Sequence, residues 1–73
     1  MMEEITKRLL EYCNNHPNKM SEAFNLIDYT LRTYGDEHHD NRYWYNKACS
    51  NEDAKITGSV VLWADFAYIM GGE

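Results

Sequence analysis

The sequence predicts an all-α fold, a bundle of about four short helices forming one domain over residues 1–73. Three observations predict it. Apolar residues recur at three- and four-residue steps through the first half of the chain, the period of a helix with one buried face. Asparagine, proline and glycine fall between those stretches, where helices stop. A chain of 73 residues also has length for a single core only.

The first helix is expected over Met2 to Asn14, with Ile5, Leu9, Tyr12 and Cys13 on its inner face. Glu3 and Glu4 lie in the first turn, where negative charge favours the helix dipole. Asn14-Asn15-His16-Pro17 should stop it, because proline disfavours helix in the residue before it. The second helix starts near residues 17–21 and follows the stripe Met20, Phe24, Ile27, Leu31, Tyr34, broadened by Ala23 and Thr30. Gly35 supplies its stop.

A third helix is expected from Asp36 to Ser50, with Asp36 as cap. Its buried seam is either Asn41, Tyr45, Ala48 and Cys49, or Trp44 and Ala48. Ser50-Asn51-Glu52-Asp53 then reads as a cap and acidic first turn of a short element closed by Gly58. The last helix runs from Val60 to Met70, capped by Ser59 and ended by Gly71-Gly72. It is apolar nearly all round apart from Asp65, which places it centrally. The competing reading is α+β, with residues 56–70 as strand, because Ile56, Val60, Val61, Trp63, Phe66 and Tyr68 favour extended backbone.

Charge narrows the function. The net charge is −5, and the acidity is uneven. Residues 36–73 hold seven acidic groups against Arg42, Lys47 and Lys55, whereas residues 1–35 are nearly balanced. No cluster of Lys and Arg exists to neutralise phosphates, so direct nucleic-acid binding is not expected, nor attraction to an anionic membrane. The run Val60 to Met70 spans 11 residues and contains Asp65, where a membrane-crossing helix needs about 20. Two cysteines, Cys13 and Cys49, are too few for a disulfide-built secreted domain and favour a reducing, cytoplasmic setting.

Tyr43-Trp44-Tyr45 is the most informative feature, flanked by Arg42 and preceded by Asp36, Glu37 and Asp40. Successive helical side chains diverge by about 100°, so three consecutive rings cannot share one narrow buried face. At least one should stay exposed, and exposed Tyr or Trp beside Arg is the chemistry of binding hot spots. Arg42, Tyr43, Trp44 and Tyr45 with Asp36, Glu37 and Asp40 are therefore the expected partner-binding set. The plainer reading lays the tyrosines along the core edge with wet hydroxyls.

Other chemistry is weaker. Cys13, His16, His38, His39 and Cys49 are zinc-ligand types, but the paired spacing of a zinc site is missing, and both cysteines fit helical core positions. His38 or His39 beside Asp40 or Glu37 supplies a base and an orienting acid with no placed nucleophile, so catalysis is not expected. Asp65, alone in an apolar helix, is either a buried acid or the mark of that helix's one solvated stripe. No cofactor is indicated. The expected function is protein binding: an inhibitor or adaptor that occludes a basic surface, such as that of a nucleic-acid-binding protein or complex. In size and charge alone the chain is similar to small acidic proteins encoded by phages and mobile elements, the anti-CRISPR group among them; no residue motif carries that likeness. The alternatives are a self-associating structural or regulatory component, with the aromatic segment as its dimer interface, and a small Cys/His metal-binding module.

Overall fold

In the computed structural model, residues 2–35, 37–50 and 61–72 are described. Among them the regular structure is entirely helical: α1 (Met2–Asn15), a 3-10 turn (Pro17–Lys19), α2 (Met20–Tyr34), α3 (Asn41–Ser50) and α4 (Trp63–Gly71). Ile5, Leu9, Tyr12 and Cys13 of α1 are buried as their spacing requires. The chain then turns through His16, whose backbone N–H donates to the carbonyl of Tyr12, and through Pro17 at the start of the 3-10 turn.

In α2 the predicted face is rotated. Ala23, Leu26, Ile27 and Thr30 are buried, Leu31 and Tyr34 are half-buried, and Met20 and Phe24 remain 45% and 41% exposed. Five of the seven predicted positions are thus buried or half-buried, and the buried centre is turned by roughly 30–50° from the predicted one, taking 100° per residue. The cause is steric and polar together. Ala23 lets the helix approach its neighbours closely, and Thr30 satisfies its own hydroxyl by donating to the carbonyl of Leu26 at 2.8 Å, which removes the penalty of burying it. Gly35 ends α2 at φ +84°, its N–H donating to the carbonyl of Leu31.

α3 begins five residues later than expected, because residues 37–40 are not helical. Asp36 lies outside the described residues, and Asp40 provides the cap: its Oδ1 accepts the N–H of Tyr43 at 3.0 Å. The buried seam is Trp44 and Ala48. Cys49 is exposed rather than in the core, since it sits about 100° round the helix from Ala48. Both thiols are free, with Cys13 buried.

The final helix is a helix, but it starts at Trp63 instead of Val60. Val61 is buried outside regular structure, and Leu62 is extended (φ −60°, ψ 146°) as the residue that precedes the first turn of the helix. The expected element over residues 50–58, the cap Ser59, and the 56–60 part of the strand reading lie outside the described residues. α4 is central as expected. Phe66, Ala67, Ile69, Met70 and Gly71 are buried, and the helix packs on both α3 and α1. Against α3 it runs antiparallel: Phe66 meets Trp44 edge-on, with centroids 6.1 Å apart, and Gly71 abuts Asn41. A Cβ on Gly71 would lie 2.3 Å from the Asn41 nitrogen, so only glycine permits this approach. None of the helices is long and apolar enough to cross a membrane among the described residues.

Candidate functional site

The aromatic triplet divides as the helix geometry demands. Trp44 is 1% exposed, Tyr43 is half-buried at the edge of the core, and Tyr45 is 44% exposed. Trp44 is the centre of a ring cluster, edge-on to Tyr34, His39, Tyr43 and Phe66. It belongs to the core, not to a binding face. Tyr43 is held on one side by His39, stacked at 3.8 Å, and also lies under the Lys47 ammonium, 5.4 Å from the ring centroid. The same ammonium sits 4.6 Å over Tyr34, so it ties α2 to α3 by cation–π attraction. Of the three rings, Tyr45 alone presents itself freely to solvent. Arg42, Glu37 and Asp40 are also exposed, while Asp36 lies outside the described residues.

Around this segment the fold assembles a concave face that sequence spacing did not disclose. α4 lies between α1 and α3, and its outward stripe is Ala64 and Tyr68, continued by Gly72 beyond the helix end. On the α1 side the stripe floors a groove of about 510 Å³, walled by Glu4, Lys7, Arg8 and Glu11 and closed by Asp40. His38 and Gly71 also reach it. On the α3 side it floors a shallower groove of about 240 Å³, lined by Asn41, Arg42, Tyr45, Ala64 and Ala67. No residue lines both grooves, and the Asp40–Asn41 backbone packed on Gly71 stands between them.

The charges of the first groove are not equivalent. Arg8 is committed to the fold: its Nε donates to the carbonyl of Ile69 at 2.9 Å, and its Nη1 lies against Gly72, so it neutralises the C-terminal end of α4. Its Nη2 is buried and has no hydrogen-bond partner. Glu4 and Glu11 are exposed, one α-helical wall apart by seven residues, and turn to the same side as Asp40. Tyr68, 42% exposed, stands among them. The result is a mixed-charge rim around an aromatic ring, with the carboxylates of Glu4, Glu11 and Asp40 outnumbering Lys7 and Arg8 by one. Glu4, Glu11 and Tyr68 were missing from the sequence-derived set. The four- and three-residue steps of Glu4, Arg8 and Glu11 mark a single polar face, but nothing in the sequence pairs that face with Tyr68.

Asp65 is half-buried, and its charge acts on Tyr12 of α1. Burial, then the Asp65 charge and then Cys13, push the Tyr12 hydroxyl above its ordinary pKa; burial alone pushes the Cys13 thiol up. The Tyr12 hydroxyl and the Trp44 indole N–H are both buried without a hydrogen-bond partner.

The zinc-ligand types do not converge. His16 stacks on Tyr12 at 4.3 Å, His39 stacks on Tyr43, His38 borders the α1 groove, and Cys13 and Cys49 are respectively buried and exposed. Among the described residues no three His, Cys, Asp or Glu side chains are placed to share an ion. Comparison with family models, curated proteins and solved structures finds no match to this chain.

Proposed function

We propose that this is a non-enzymatic protein-binding domain, an inhibitor or adaptor that covers a basic surface of a protein partner. The observation that carries this reading is the convergence of Glu4, Glu11 and Asp40 around the exposed Tyr68 ring on one concave face. Carboxylates that are solvated and unpaired with each other attract a cationic surface and speed its encounter. An exposed ring among them supplies apolar area at small entropic cost. Arg42 and Tyr45 extend the face on the α3 side. A basic nucleic-acid-binding protein or complex suits this chemistry, and phage-encoded inhibitors of the anti-CRISPR kind act on such targets. The free thiols suit a reducing, cytoplasmic setting.

The test is capture from a lysate with the wild-type protein and with Glu4→Lys/Glu11→Lys, identified by mass spectrometry. The reading requires a basic protein that the wild type retains, that the double reversal loses, and that Glu22→Lys on α2 still holds. A captured set indifferent to the reversal would refute it. The exposed Tyr45 beside Ala64 also supports a second reading, self-association through the α3 side. Sedimentation at micromolar concentration separates the two, because that reading requires a dimer which Tyr45→Ala disperses.

A further inference from the structure

Resting on that reading, we infer that His38 makes the groove beside Tyr68 a pH-sensitive site, which holds a cationic partner at neutral pH and loosens it on mild acidification. The lining is almost balanced in charge. Glu4 and Glu11 of α1 and Asp40 face Lys7 and Arg8, also of α1, so three carboxylates against two cations leave one negative charge. The contribution of α4 is neutral, the Tyr68 ring with Gly71 and Gly72. His38 lines the same groove. Histidine is the side-chain type that ordinarily changes charge between about pH 5 and 8. Carboxylates ordinarily titrate below that window, and tyrosine, lysine and arginine above it. One proton on the His38 imidazole therefore cancels the excess negative charge of the lining.

Placement separates His38 from the other histidines. It is exposed and lies in the non-helical segment 37–40. Asp40 fixes the end of that segment against α3, its Oδ1 accepting the N–H of Tyr43. His39 is stacked on Tyr43 and His16 on Tyr12, and neither lines the groove. The exposed Glu37 also lies outside the lining. The sign of the effect follows from repulsion between like charges. An imidazolium among the lining groups opposes an incoming Lys or Arg, so affinity falls as the pH falls. By linkage, a bound cation makes the same imidazole harder to protonate. The size is that of one solvent-screened charge, about two- to fivefold in affinity.

The probe is capped penta-arginine, which has no group that titrates in this window. It is added to ¹⁵N-labelled protein at about pH 7.5 and about pH 5.5, at one ionic strength, while amide shifts are followed. Shifts around Glu4, Glu11, Asp40 and Tyr68 are expected at both pH values, with affinity about two- to fivefold weaker at the lower one. His38→Gln should bind at both as the wild type does at the higher pH, and His38→Lys at both as the wild type does at the lower. His39→Gln should keep the wild-type dependence. In the wild type, the His38 imidazole signals should titrate at lower pH with the peptide present than without it, a readout that needs no variant. Groove binding of equal affinity at both pH values, or a pH dependence that His38→Gln retains, would overturn the switch and leave the cation-binding reading standing. Absence of shifts in the groove at either pH would sink this inference and the proposed function together.

Discussion

The Arg8 guanidinium and the Ile69 carbonyl, 61 positions apart, are joined by a 2.9 Å hydrogen bond. The bond fastens α1 to the end of α4, where carbonyls lack helical partners and a positive charge offsets the dipole. Arg8→Ala removes that bond and exposes the carbonyl's deficit. It should cost about 1.5–3 kcal/mol, the usual range for a bond involving a charged group. Urea denaturation measures it. Arg8→Lys should recover only part, because a compact ammonium does not reproduce the planar guanidinium that donates to Ile69 and packs against Gly72. An unchanged midpoint in Arg8→Ala would show that the helix end needs no cap.

Gly71 and Gly72 differ in what they tolerate. Gly71→Ala drives a Cβ into the backbone of Asn41, which has no flexible end to move, so about 2 kcal/mol or more of stability should be lost. Gly72→Ala meets the Arg8 guanidinium, which can yield only by loosening its bond to Ile69, and a backbone at φ +83°, for a cost of about 1–2 kcal/mol. Thermal unfolding should rank the two in that order. Equal melting temperatures would mean that α3 and α4 can separate without penalty.

The three consecutive rings should separate stability from binding. Trp44→Ala empties the centre of the ring cluster at about 3–5 kcal/mol, comparable to the whole stability of a domain this small. Tyr45→Ala should leave the melting temperature nearly unchanged, and Tyr43→Ala should fall between. If Tyr45→Ala unfolds the protein, its ring is part of the scaffold and not a free surface beside Ala64.

Stability should be flat with respect to Cys13 and Tyr12 at neutral pH and should fall in alkali. Both groups are neutral when protonated, and burial holds both above their ordinary values of 9.0 and 10.0. The unfolded chain therefore releases these protons first, which draws the equilibrium toward unfolding as pH rises past about 9 and on through the raised folded values. Cys13→Ala should remove the earlier part of the decline, and Tyr12→Phe the later part. At neutral pH Tyr12→Phe should also stabilise by about 1 kcal/mol, since it deletes a buried hydroxyl without a partner. Destabilisation by Tyr12→Phe would reveal a hydrogen bond at that oxygen.

Much of the fold was legible because local signals agreed with one another. The 5-9-12-13 spacing had one helical solution, and Gly35 and Gly72 sit where left-handed or extended stops are needed. In α2 the stripe was legible except at one edge: Ala23, Ile27, Thr30, Leu31 and Tyr34 lie on the inner side as expected, whereas Met20 and Phe24 are exposed and Leu26 is buried, because hydrophobicity alone cannot say which flank of Ile27 meets the rest of the bundle. The start of α3 turned on whether Asp36 or Asp40 caps it, a contest that His39 stacking on Tyr43 helps to resolve but that sequence cannot display. The candidate site was half legible. One exposed ring among Tyr43, Trp44 and Tyr45 follows from helix geometry, but which ring depends on the neighbours of α3. Glu4, Glu11 and Tyr68 come together only through the packing of α1 on α4, a relation of distant segments.

That packing has a consequence for synthesis. The groove beside Tyr68 takes Glu4 and Glu11 from one end of the described chain and Tyr68 from the other. A nascent chain halted before Trp63 carries the α1 walls and the α3 rings but no floor between them. Without α4, α1 lacks one of the helices it packs on, and apolar surface that the fold buries is left uncovered in the shortened product. If the proposed partner binds the groove beside Tyr68, a product that stops before Trp63 cannot hold it.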